Sequence, residues 1–79
     1  MFVRTLNADI QKNVSPWITL EKSGGYWYAV YDDGVDLETH SVPTRRLRQL
    51  SRDQWLGEAR ELSERVERIR KSRSERLAR

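Results

Sequence analysis

The stretch Tyr26-Trp27-Tyr28-Ala29-Val30-Tyr31, running through Asp32-Asp33-Gly34 into Val35-Asp36-Leu37-Glu38-Thr39-His40-Ser41, decides the fold. Its first part is aromatic and β-branched and its last part alternates apolar with polar residues, both marks of strands. Asp33-Gly34 between them has the composition of a two-residue type I′ hairpin turn, whose central residues need positive φ. Upstream, Trp17-Ile18-Thr19-Leu20-Glu21-Lys22 has the same strand character and stops at Ser23-Gly24-Gly25, a second turn. Pro43 ends the third run, because proline cannot donate to a strand ladder. Three antiparallel strands in a meander follow.

A two-residue Asp33-Gly34 loop pairs Tyr31 with Asp36, Val30 with Leu37 and Tyr28 with Thr39. Tyr26, Tyr28, Val30, Val35 and Leu37 then share one face, which is expected to be the covered one together with Ile18 and Leu20. Trp27, Tyr31, Asp36, Glu38 and His40 share the other, expected to meet solvent with Trp17 nearby. A three-residue loop with a bulge would exchange the two faces.

Downstream the period changes to that of a helix. Ser51 has the look of an N-cap, and Asp53 stands in the first turn where the positive helix end favours it. Trp55, Ala59, Leu62, Val66 and Ile69 then recur at spacings of four and three, forming one apolar stripe that Leu56 widens. Glu61 with Arg65, Glu64 with Arg68 and Glu67 with Lys71 are acid-first i, i+4 pairs, each worth about 0.2–0.5 kcal/mol. The stripe's next positions are Arg73 and Arg76, so the core-facing pattern ends near Ile69. Residues 1–69 therefore read as a single α+β domain, and residues 70–79 as a basic extension of the helix or a frayed tail. At the start, Phe2-Val3-Arg4-Thr5-Leu6 suits a fourth strand, whereas Ile10 and Val14 have weak helical spacing. The expected fold class is α+β: a three-stranded antiparallel meander, with or without that fourth strand, packed on one long C-terminal amphipathic helix.

A chain of 79 residues buries only about 60% of its unfolded surface, which excludes a multidomain enzyme. It has no cysteine, so neither a disulfide framework nor a thiolate is available. No run approaches the roughly 20 apolar residues of a membrane span, and Met1-Phe2-Val3-Arg4 does not open a secretory signal. A cytoplasmic location is expected, the host's if the chain is phage-borne. His40 is the single histidine, and no nucleophile, base and acid stand in a catalytic pattern. Gly24-Gly25 lies outside any phosphate-binding glycine motif. A binding protein is expected rather than an enzyme, with no cofactor, metal or membrane.

The charge is divided unevenly along the chain. Residues 1–44 hold three basic side chains against six acidic, and residues 45–79 hold twelve against six, so each half suits a different partner. Trp27, Tyr31, Asp32, Asp33, Asp36 and Glu38 form a candidate protein-binding patch, since carboxylates beside aromatics imitate phosphate and base to a basic groove. Arg45, Arg46, Arg48, Arg52, Arg70, Lys71, Arg73 and Arg76 form a candidate surface for the phosphates of DNA or RNA. The apolar stripe also has the spacing of a short coiled-coil seam, which would make a homodimer instead of a monomer.

Lys22-Ser23-Gly24-Gly25-Tyr26-Trp27-Tyr28, opening the second of three strands before a long helix, resembles the arm-type DNA-binding modules at the front of tyrosine recombinases, over residues 20–62. That resemblance implies a sheet that enters a DNA groove. Asp32, Asp33, Asp36 and Glu38 depart from it, and the basic residues lie on the helix instead, so it serves as a fold analogy. In size, absence of cysteine and absence of a catalytic set, the chain is similar to small phage-borne inhibitors such as anti-CRISPR proteins. This likeness implies a stoichiometric inhibitor or regulator of a larger protein or nucleoprotein complex.

Overall fold

The computed structural model describes residues 1–77. The chain runs α1 (Val3–Asn13), β1 (Ile18–Ser23), β2 (Tyr26–Asp32), β3 (Leu37–Val42), a 3-10 turn (Leu47–Gln49) and α2 (Arg52–Leu77). The strands form one antiparallel sheet in the order β1-β2-β3, so the α+β class and the meander are as expected. The N-terminal segment is a helix and not a fourth strand: Leu6 and Ile10, one turn apart, are buried in the same core as the sheet and α2. Residues 78 and 79, the end of the expected basic extension, lie outside the described residues.

Gly24 and Gly25 both have positive φ, 61° and 83°, so the β1–β2 connection is a two-residue turn that pairs Ser23 with Tyr26. Leu20 consequently lies opposite Ala29, and Ile18 opposite Tyr31. The β2–β3 loop is longer than expected. Four residues, Asp33 to Asp36, separate the strands, and Tyr31 pairs with Glu38. The cause is Asp33, whose Oδ1 accepts the N–H groups of Val35 at 2.9 Å and Asp36 at 2.8 Å, an Asx-type closure that competes with the tighter turn.

A register shift of two leaves each side chain of β2 and β3 on its own side, so their grouping stands. Ile18 and Leu20, however, join Trp27, Ala29 and Tyr31 instead of Tyr28 and Val30, and Trp17 joins the Asp32 and Leu37 row instead. Which group is buried is the reverse of the expectation. Ile18, Leu20, Ala29, Tyr31 and Val42 form the core face, while Tyr26, Tyr28, Val30 and Leu37 lie on the open one. The physical reason is the glycine turn, which places Ile18 and Leu20 on the side of Trp27, Ala29 and Tyr31.

Helix α2 starts with a reciprocal cap: Ser51 Oγ accepts the Gln54 N–H at 3.1 Å, and Gln54 Oε1 accepts the Ser51 N–H at 2.8 Å. Trp55, Leu56, Ala59, Leu62 and Val66 are buried against the sheet. From Trp55 to Val66 the stripe is therefore spent within the chain, and Ile69 is half-buried. Fully buried Trp55 donates its Nε1–H to the Leu47 carbonyl at 2.7 Å. Its ring meets Trp27 edge to face, with centroids 6.4 Å apart, the geometry that aromatic quadrupoles favour. With 26 residues at about 1.5 Å each, α2 outruns the sheet and carries its basic end past β2.

Trp55→Ala is expected to remove about 3–5 kcal/mol from a total stability of about 4–12 kcal/mol for a chain of this length. Urea unfolding followed by far-UV circular dichroism checks it.

Candidate binding surfaces

Two of the acidic residues expected to meet a partner are engaged inside the chain. Asp33 Oδ2 accepts the Tyr31 phenol at 2.9 Å and also the Arg70 Nη2. Arg70 Nε donates to Asp36 Oδ2 at 3.1 Å, and Arg73 Nη1 to Asp36 Oδ1 at 3.1 Å. The Arg70 guanidinium also lies over the Tyr31 ring, 5.5 Å from its centroid. The backbone N–H groups of Asp36 and Val35, then Tyr31 and Arg70, hold the Asp33 carboxyl far below its ordinary value of 3.8. Arg70 and Arg73 lower Asp36 in the same way, and burial followed by the bond to Asp33 raises the Tyr31 phenol. This cluster braces the C-terminal part of α2 to the β2–β3 loop.

The six acidic and aromatic candidates therefore share no common surface. Tyr31 is in the core, half-buried Trp27 packs on Trp55, and half-buried Glu38 follows Tyr31 on the inner side. Asp33 and Asp36 are saturated by arginines, and Asp32 alone is exposed. His40, expected to face solvent, turns inward. Its Nε2 lies 2.6 Å from Glu58 Oε2 and 3.5 Å from Glu61 Oε2. These three are ligand-type side chains within 4.8 Å of one another. The short His40–Glu58 contact ties β3 to α2.

Basic candidates divide into two groups. Arg52 bonds Asp9 at 2.8 Å and reaches Asp53 at 3.4 Å, and Asp9 raises its pKa. Arg52, Arg70 and Arg73 are thus occupied. Arg45, Arg46, Arg48, Lys71 and Arg76 are exposed and have no carboxylate within 4.0 Å among the described residues.

The surface that the sequence reading missed is the open face of the sheet. The register sets its cross-strand rows: Thr19, Val30 and Thr39, then Glu21, Tyr28 and Ser41. At one end Asp32 and Leu37 are paired, and the Asp32 N–H donates to the Trp17 carbonyl at 3.1 Å, which brings Trp17 into the same row. At the other end stand Ser23 and Tyr26. Trp17 is 50% exposed, Tyr26 42% and Leu37 65%. Each sheet edge has one backbone group engaged by a side chain. Asn7 Oδ1 takes the Leu20 N–H at 2.7 Å on β1, and Arg65 Nη2 donates to the Thr39 carbonyl on β3. No helix among the described residues is long and apolar enough to cross a membrane.

Carboxylates held below their ordinary 3.8 contribute stability that is complete above that value and is lost as pH falls through the lowered ones. Melting temperatures measured by circular dichroism from about pH 7 to about pH 2 should therefore fall on the acid side. Arg70→Ala is expected to melt lower at neutral pH and to lose less on acidification, with Arg70→Lys closer to the alanine variant because ammonium lacks the planar fork that spans both carboxylates. No protein-family model, curated protein or solved structure matches the chain, so a functional reading has these surfaces alone to stand on.

Proposed function

We infer that the protein is a small non-enzymatic binding protein that regulates or inhibits a larger protein or nucleoprotein assembly stoichiometrically, in the cytoplasm, by docking the open face of its sheet. One observation carries this: Trp17, Tyr26 and Leu37, exposed, and Tyr28 and Val30, half-buried, share a face that no other element among the described residues covers. Tyrosine and tryptophan are the residues that most often anchor interfaces, and apolar groups collected on one face mark interaction sites. The face belongs to a three-stranded sheet backed by the core, so it is presented rigidly and costs little ordering entropy on binding.

Charge narrows the partner. Glu21 and Asp32 lie on the open face, and its three strands place no lysine or arginine there; Lys22 turns the other way and sits 5.9 Å from the Trp27 ring. Two such faces would repel each other, and a phosphate backbone would be repelled too. The fitting partner is a protein surface with an apolar centre and a lysine or arginine rim, as basic nucleic-acid-handling assemblies carry. A sheet entering a DNA groove is disfavoured for the same reason, and a helix-mediated dimer because the stripe is buried.

A photo-crosslinking amino acid at position 28 or 37 is expected to capture one partner in a 1:1 adduct, and the same group at position 60, on the outer side of α2, to capture none. Tyr28→Ala with Leu37→Ser should remain folded and lose the complex in size-exclusion chromatography with light scattering. Retention of the complex by that variant, or equal crosslinking from position 60, would sink the proposal.

A further inference from the structure

The corner between β3 and α2 has a chemistry of its own. Gln49 Oε1 accepts three donors, the Thr44 hydroxyl at 2.6 Å and the N–H groups of Arg45 and Arg46 at 2.9 Å each. One side-chain oxygen therefore folds the Thr44–Gln49 segment back on itself. The segment is also anchored at both ends. Thr44 is buried and its carbonyl takes the Trp27 N–H at 3.2 Å, while the Leu47 carbonyl takes the Trp55 indole at 2.7 Å. Both anchoring residues are parts of the core cluster or packed on it.

This fixed corner carries Arg45, Arg46 and Arg48, all exposed and none with a carboxylate within 4.0 Å among the described residues. From residue 39 to residue 52 the sequence contains no aspartate or glutamate. Three of the chain's other arginines, Arg52, Arg70 and Arg73, each hold an internal carboxylate. Three like charges held on four residues repel one another, and an incoming anion relieves that repulsion. The arginines line one open concavity with Tyr26. Arg45 lies 5.3 Å from the Tyr26 ring centroid and donates to its phenol oxygen at 3.3 Å, which orients the guanidinium and leaves its other N–H groups available.

We propose that this corner is a binding site for the phosphate backbone of a nucleic acid; it adjoins the sheet face at Tyr26 but rests on the three arginines and not on the reading given for that face. A strand of phosphates fits better than one free phosphate because the concavity is open and three separate guanidiniums line it. Each can take a different phosphate, and each contact releases counterions, so affinity accumulates along a polyanion. The exposed Tyr26 ring beside them offers a surface on which a base can stack.

Fluorescence anisotropy of labelled duplex and single-stranded DNA with the full chain, from about 50 to 200 mM salt, tests it. Three phosphate contacts predict a slope of log K against log salt of about −2.7 on duplex and about −2.1 on a single strand. Arg45→Ala with Arg46→Ala and Arg48→Ala should flatten the slope toward zero, whereas Lys71→Ala with Arg76→Ala should leave most of it. Gln49→Leu keeps every charge and is expected to weaken binding several-fold, with circular dichroism confirming that the domain still folds. Absence of binding to either strand at the lowest salt overturns the proposal, and so does an unchanged slope in the triple variant. Displacement by inorganic phosphate beyond that given by chloride of equal ionic strength would assign the corner to a free phosphate and overturn it as well.

Discussion

Two consecutive glycines in the left-handed region hold β1 against β2 in one register, and the interior is arranged around that constraint. A Cβ at either position would meet nothing within 4 Å, so the demand for glycine comes from the backbone angles and not from crowding. With Ser23 paired to Tyr26, Ile18 and Leu20 fall on the side of Trp27, Ala29 and Tyr31. Fully buried Ala29 keeps the middle of that face low, and the large Trp55 side chain fits beside Trp27. The inward side, the seat of α2 and the identity of the open face all descend from the turn.

Electrostatics then sort the remaining polar groups. In a chain that is 34% charged, most charges would be solvated singly, yet those near the β2–β3 loop are gathered into one network. Asp33 first organises its own loop through two backbone amides and then, with Asp36, receives Arg70 and Arg73. The arrangement turns residues that read as an acidic docking patch and a basic tail into a mutual brace, which keeps the extension of α2 in register with the sheet. Of the candidate basic residues, those that the brace and the Asp9–Arg52 pair do not engage are the Arg45, Arg46 and Arg48 corner and, on the helix, Lys71 with Arg76.

The elements with a strong local pattern could be read from the sequence. The stripe from Trp55 to Val66, the Ser51 cap and three strands broken by glycine turns are consequences of spacing and composition, and they stand where expected. Sidedness was harder, because both faces of β2 carry aromatic residues and its alternation does not say which is inside. The deciding signal lies in Gly24-Gly25, since a two-residue turn there fixes the parity of β1 relative to β2, whereas the longer Asp33–Asp36 loop shifts the register by two and leaves parity unchanged. His40 illustrates the cost: on a strand of uncertain side it reads as solvent-facing, and only the packing of α2 brings Glu58 to it. The Arg70 and Arg73 pairs join residues more than thirty positions apart, a distance at which sequence spacing carries no information.

Why an aromatic face stays open follows from how the chain uses its two helices. Both pack on the same side of the sheet, α1 contributing Leu6 and Ile10 to the core that α2 dominates, so no element remains for the other side. Covering the second face would bury more apolar area, but ordering further residues to do so costs about 1–2 kcal/mol each in backbone entropy alone. An uncovered sheet usually invites strand addition at its edges. Here Asn7 and Arg65 occupy edge groups of β1 and β3, which disfavours growth along the hydrogen-bonding direction while leaving the aromatic surface accessible from above. A fold that engages a group on each edge yet leaves Trp17 and Leu37 exposed on the outer face favours association through the face over strand addition. Under the reading proposed above, Glu21 and Asp32 would select by charge among the surfaces that dock there.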